Sequence, residues 1–368
     1  MNDRARGALD AGASPTIAAL VRPEILAQKA YVVPPAAGMV KLDANESPHG
    51  LPAAAATRLA TALGRVQLNR YPEGAADEVR MALRRVLAIP QSLAVILGNG
   101  SDELISLVVS LLAKPGAVIM APEPTFVMYR VSTINAGARF VGVPLRPDFT
   151  LDGAAMQAAI ARERPAAIFL ASPNNPTGVQ YAAAEVEAIL RVAPGLVVLD
   201  EAYAGFAATS FLPRVGEYPN LLLMATLSKV GMAGLRLGYA VAAPEWIAEL
   251  DKLRPPYNVN SLTQAAVSAL LADPAWIGEQ AAAIAAERRR LAAALAQLSG
   301  VEVFPSEANF LLVRVGDANR MFDGLKAKRI LVKQIAGGHA LLANCLRITV
   351  GTPDENALLL SAMAELTQ

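Results

Sequence analysis

The sequence predicts an α/β fold: a large domain built on a mainly parallel central sheet covered by helices, plus a smaller α+β domain. Three observations carry this reading. From about residue 94, short apolar runs alternate with Gly, Pro or Asn breaks and longer amphipathic stretches. The apolar runs lack polar alternation, as strands buried on both faces do. After about residue 260 the rhythm changes to one long helical stretch and then a second, shorter set of strands and helices.

In chain order, the strand candidates of the large sheet are residues 93–97, 117–120, 140–143, 166–171, 196–199, 221–225 and 237–242. Stretches such as 102–113 and 182–192, between these runs, have helical length and spacing. Parallel strands need such crossovers to bring the chain back to the starting edge. Asp273 and Pro274 open a long Ala-, Glu- and Arg-rich helix that runs to residue 298 and stops at Gly300. Two further strands, 309–315 and 346–350, flank a helical stretch near 318–328. Thr352, Pro353 and Glu355 announce the last helix as cap, first-turn proline and capping-box partner.

Composition narrows the function classes. Thirty-three Lys and Arg against 32 Asp and Glu leave a formal net charge of +1. No global field then favours nucleic acid or an anionic membrane, and any anion site must be local. The single cysteine, Cys345, excludes an intramolecular disulfide and a thiolate metal cluster. His49 and His339 are the only histidines, so no metal is expected. The first 30 residues contain no block resembling a signal peptide, and no apolar run of about 18 residues appears. A cytoplasmic location is the expectation that follows.

Four clusters could carry chemistry. GNGSDE (98–103) follows a strand and starts a helix, so the backbone N–H groups near Ser101 and Asp102 face an incoming anion. The plain alternative is an ordinary turn capped by Ser or Asp. SPNNPTG (172–178) also follows a strand, and its prolines and glycine make a rigid loop, with or without a ligand. LVVLDEAY (196–203) ends a hydrophobic strand on a carboxylate, Asp200, which needs a cationic or hydrogen-bonding partner if buried. A protonated pyridine nitrogen would serve; a helix cap is the alternative. In TLSKVGMAGLRLGY (226–239), Lys229 sits at a strand end, where burial favours the neutral amine of a Schiff-base nucleophile. Arg236 there offers the fork that suits phosphate. Each cluster falls at one end of a predicted strand, so the fold gathers them in one crevice. A phosphate cradle, an Asp for a ring nitrogen, Asn and Tyr for a ring oxygen and a lysine amine match the demands of pyridoxal phosphate.

From Gly98 to Arg236 the order GNGSDE, SPNNPTG, DEAY, TLSK and AGLR resembles the fold-type I aminotransferases. LDANESPHG (42–50), RYPE (70–73), ANFLLVR (308–314) and CLRITVGT (345–352) are similar to the histidinol-phosphate aminotransferase family in particular. The resemblance spans nearly the whole chain. It implies a pyridoxal 5'-phosphate enzyme in three parts. Residues 1–45 are an N-terminal arm and part of the small domain, 46–260 the large cofactor-binding domain, and 261–368 the linking helix and small C-terminal domain.

By the same resemblance, Ser101, Asp102, Thr226, Ser228 and Arg236 hold the cofactor phosphate and Phe126 stacks on its ring. Asn174 and Tyr203 bind the ring oxygen, Asp200 keeps the ring nitrogen protonated, and Lys229 binds the cofactor and moves the proton. Tyr71 reaches the phosphate of a neighbouring subunit, which implies a homodimer with shared active sites. Arg347 binds the substrate anion, and Lys333, Tyr31 and Asn45 complete the substrate site. The implied reaction exchanges an amino group between L-histidinol phosphate and 2-oxoglutarate, giving imidazole-acetol phosphate and glutamate, in histidine biosynthesis. An aromatic amino-acid aminotransferase and a threonine-phosphate decarboxylase share the same cofactor residues and stand as alternatives. A cofactor-binding regulator is a more distant one, because the first 40 residues are too short and weakly basic for a helix-turn-helix domain.

Two positions depart from the family pattern. Lys229 and Arg236 are one position closer than in many relatives, and Lys333 lies near where many relatives carry a second phosphate-binding arginine. Lysine supplies a point charge in place of a planar fork, and a Lys333 that faces water would instead point to a plain aromatic amino acid as substrate. His339 lies near enough in sequence to line the same pocket or to sit on a surface loop.

Overall fold

The computed structural model describes residues 15–30 and 32–367. Its strands are β1 (Val40–Leu42), β2 (Ala94–Asn99), β3 (Val118–Glu123), β4 (Arg139–Pro144), β5 (Ala167–Ala171), β6 (Leu196–Asp200), β7 (Leu221–Thr226), β8 (Leu237–Ala242), β9 (Glu302–Val303), β10 (Phe310–Arg314), β11 (Ile330–Gln334) and β12 (Cys345–Thr349). The seven apolar runs between residues 93 and 242 all become strands of one sheet, ordered β2-β8-β7-β6-β5-β3-β4.

Neighbours in that sheet are parallel except around β8, which runs antiparallel to both β2 and β7. The reason is the connection. Between β7 and β8 lie only residues 227–236, coiled into two short 3₁₀ turns, too little chain for the crossover a parallel neighbour needs. The reversal brings Arg236, just before β8, to the same sheet edge as Lys229, just past the end of β7.

Alternate side chains of each strand enter opposite cores, which explains the unbroken apolar runs. Leu221 and Leu223 pack with Val186, Ile189 and Val267 on one face. Leu222 and Met224 pack with Leu104, Val108 and Ile247 on the other. All six positions of β7 are buried.

The second sheet, β1-β11-β12-β10-β9, is covered by helices Ala318–Ala327 and Pro353–Leu366 and by the end of the long helix Ala275–Leu295. The last helix carries the expected capping box, with Thr352 Oγ1 accepting from Glu355 N and Glu355 Oε2 from Thr352 N. β10 and β12 match the two predicted strands; β1, β9 and β11 are additions. The three residues of β1, which pair in parallel with β11, are too few for periodicity to register, yet they carry the N-terminal segment into the C-terminal sheet. Among the described residues, no helix is long and apolar enough to cross a membrane.

Candidate active site

At the carboxyl edge of the large sheet, facing the small one, lies a cavity of about 550 Å³. Its floor is the start of the helix Ser101–Leu112 and the turn after β7. Gly100 takes φ +81°, a conformation that favours glycine, and a Cβ there would lie 2.6 Å from Arg236 Nη2 and displace the guanidinium. The first N–H groups of this helix have no partner within it and point to the same place. Thr226 Oγ1 donates to Leu237 O (3.0 Å) and accepts from Ser228 N (3.1 Å), which fixes both hydroxyls beside Arg236. Arg236 Nη1 donates to Ser228 Oγ at 3.4 Å, and Nη2 lies 3.6 Å from Asp102 Oδ2. Between Lys229 and Arg236 the chain turns through Gly231 (φ +94°), and Arg236 itself is left-handed (φ +51°). Helix start, hydroxyls and fork together make an anion cradle.

Asp200, the last residue of β6, is 5% exposed. Tyr129 Oη donates to its Oδ2 at 2.7 Å and Ala202 N to its Oδ1 at 3.0 Å. Burial outweighs these bonds and pushes the carboxyl up to about 6. The same burial, with the neighbouring carboxylate, raises the Tyr129 hydroxyl well above its ordinary range, so it stays a donor. Tyr129 escaped the sequence reading; its one signal is an aromatic side chain three residues after Phe126. Phe126 lines the cavity and meets Tyr129 edge to face at 5.7 Å. Lys229 Nζ reaches into the cavity, 3.5 Å from Ala44 O and 5.8 Å from the centre of the Tyr203 ring.

These groups fit pyridoxal phosphate. A buried carboxylate beside the cavity calls for a cation such as a protonated ring nitrogen, the cradle suits a phosphate, and an amine lies between them.

The opposite wall comes from the small sheet. Arg347 on β12 and Lys333 on β11 are cross-strand partners, and both line the cavity. Arg347 Nη1 donates to Asn175 Oδ1 (2.6 Å) and Nη2 to Asp43 O (2.7 Å). An adjoining hollow of about 640 Å³ continues outward past Phe126, Phe140, Lys333 and His339. His339 Nδ1 accepts from Leu341 N at 3.2 Å, which leaves Nε2 as the protonated nitrogen of its neutral form.

Two expected residues stand elsewhere. Asn174 is fully buried and turned away: its Nδ2 donates to Pro124 O and Thr177 Oγ1, and its Oδ1 accepts from Thr125 Oγ1. Those bonds pin the loop, and the asparagine that faces the cavity is Asn175. This corrects the expectation that Asn174 binds the ring oxygen. The sequence offered one hint, since Asn175 directly precedes Pro176 and its backbone is therefore restricted. Tyr71 is 80% exposed, stacked on Tyr257 at 4.7 Å, and outside the cavity of its own chain. Tyr31 lies outside the described residues. Asn45 lines the cavity, but its amide is spent on Tyr203 Oη and Thr349 Oγ1.

The model of the aminotransferase class I and II family matches residues 37–363. A histidinol-phosphate aminotransferase of Chromobacterium violaceum is 56% identical over 348 residues, 95% of this chain and 98% of that protein. Histidinol-phosphate aminotransferase 2 of Cupriavidus pinatubonensis is 52% identical over 354 residues, 95% and 97% of the two chains. Among solved structures, the histidinol-phosphate aminotransferase of Sinorhizobium meliloti in complex with pyridoxal-5'-phosphate superposes with a TM-score of 0.85 at 29% identity. It covers 95% of this chain and 97% of its own.

Proposed function

Since the chain belongs to the aminotransferase class I and II family, within its histidinol-phosphate aminotransferase branch, we propose that it transfers an amino group between L-histidinol phosphate and 2-oxoglutarate in histidine biosynthesis. The observation that carries the reading is a cavity with two cationic ends and one amine between them. Arg236 and the helix start stand at one end, Arg347 and Lys333 at the other, and Lys229 in the middle. Like charges set directly opposite on adjacent strands repel, and an anion between Arg347 and Lys333 relieves that repulsion.

Pyridoxal phosphate, bound there, supplies an electron sink that makes the substrate's α C–H bond acidic. Lys229 Nζ would anchor the cofactor and, once freed, would take up the substrate's α proton. Asp200 keeps the ring nitrogen protonated, and Tyr129 holds the carboxylate in place. Arg347 binds the carboxylate of glutamate and the phosphate of histidinol phosphate by its fork, with Lys333 adding a second positive charge. Asn175 and the wall of Phe126 orient the ring. Tyr71, exposed in one chain, reaches the site of a second copy, so the working unit is a homodimer. The domain limits stated above and a cytoplasmic location belong to the same proposal.

The test is to mix the purified yellow enzyme in a stopped-flow spectrometer with histidinol phosphate, phenylalanine or threonine phosphate. The expected result is that histidinol phosphate bleaches the absorbance fastest and at the lowest concentration. Preference for phenylalanine would make this an aromatic aminotransferase, and release of carbon dioxide from threonine phosphate a decarboxylase.

A further inference from the structure

We infer that Asn45 is a positioning residue that aims the hydroxyl proton of Tyr203 into the cavity, toward the ring oxygen of the cofactor. The inference rests on the reading of the cavity as a pyridoxal-phosphate site. Asn45 is 1% exposed and holds φ +54°, a left-handed conformation in which asparagine is one of the few residues at ease. Its surroundings set the direction of every hydrogen bond it makes. Asn45 N can only donate, and it gives its proton to Thr349 Oγ1 at 2.9 Å. Among the described residues the threonine hydroxyl has no other acceptor, so its own proton goes to Asn45 Oδ1 at 3.2 Å. That assigns the oxygen of the side-chain amide, so the other atom is the nitrogen, and it donates to Tyr203 Oη at 2.9 Å.

A phenol that accepts from an amide N–H has its remaining proton to give elsewhere. Among the described residues Tyr203 Oη has no other hydrogen-bond partner, and the side chain lines the cavity, so the proton points inward. Asn309 Nδ2 donates to Asn45 O at 3.0 Å and fixes the backbone from which the relay hangs. Thr349 lies two positions beyond Arg347 on β12, so the strand that presents the substrate's anion partner also orders Tyr203.

The consequence is electronic. A donor on the ring oxygen stabilises its negative charge and weakens its hold on the proton shared with the Lys229 nitrogen. The test follows the absorbance of the loaded protein against pH. In Asn45→Asp the ionised carboxylate can only accept, so Tyr203 turns its proton away from the ring. The pH midpoint of the yellow chromophore then rises by about one unit, a tenfold change in the protonation equilibrium. Tyr203→Phe, which removes the donor outright, also raises the midpoint.

Asn45→Leu, which adds no charge, gives a smaller rise that vanishes in the Tyr203→Phe background; it carries the test if the aspartate variant does not fold. An unchanged midpoint in both Asn45 variants, or a rise from Asn45→Leu that persists in full in the Tyr203→Phe background, overturns the inference. A wild-type protein with no titrating chromophore overturns the cofactor reading itself, and the inference with it.

Discussion

Asp200 gives the clearest residue-scale prediction, because its placement has opposite effects with and without cofactor. In the cofactor-free protein burial lifts its carboxyl from 3.8 to about 6. The folded state therefore binds more protons than the unfolded state between those values, and stability falls as pH rises from about 4 through about 6. The cost above pH 6 is about 3 kcal/mol. Asp200→Asn keeps an acceptor for Tyr129 but never ionises. Urea denaturation of the cofactor-free variant should therefore show a gain of that order at pH 8 and none near pH 4. The same substitution should abolish useful turnover, since nothing then holds the ring nitrogen protonated. Unchanged apo stability at pH 8 would mean that the carboxylate is solvated. Lys229→Ala should lower transamination on the order of 10³-fold or more and remove the yellow absorbance of bound cofactor. Arg347→Ala should leave that absorbance intact and raise KM about 10- to 100-fold, the worth of a lost charged hydrogen-bond pair.

Elements matter here mostly through their ends. The start of the helix Ser101–Leu112 meets Arg236 where residue 100 has a positive φ and no side chain. Gly100→Ala places a methyl against the guanidinium in a backbone conformation that alanine resists. Titration of the apoprotein with pyridoxal phosphate should show at least about fivefold weaker binding, since the displacement costs over ~1 kcal/mol. Retained affinity would show that the cradle tolerates displacement. β8 illustrates how a short connection sets strand direction, and strand direction in turn decides which residue reaches the cavity. Arg236 lines the cavity because its strand runs backwards.

For the whole molecule, the exposed Tyr71 makes a prediction about assembly. If it completes a neighbour's site, two inactive chains can complement each other. Tyr71→Ala and Lys229→Ala proteins, unfolded together and refolded as a mixture, should recover activity above either parent, approaching about a quarter of wild type for random pairing of a twofold dimer. No recovery would confine Tyr71 to its stack on Tyr257.

The architecture of the large sheet was legible because a strand buried on both faces must be apolar throughout, and all seven runs announced themselves that way. The last helix was legible because capping is local chemistry. Lys229, Asp200, Arg236 and the helix start were readable as a set because each lies at the end of a strand and the fold class brings such ends together. Tertiary structure alone decided the rest. Asn174 and Asn175 are identical in type and adjacent in sequence; which one faces the cavity depends on contacts with Pro124, Thr125 and Arg347, distant in the chain. The same holds for β1, three residues with no periodicity that find their place only against β11, and for Asn45, whose hydrogen bonds join positions 45, 203 and 349. Local pattern determines what a segment becomes. The partner of a polar side chain depends on packing among segments far apart, which no local pattern records.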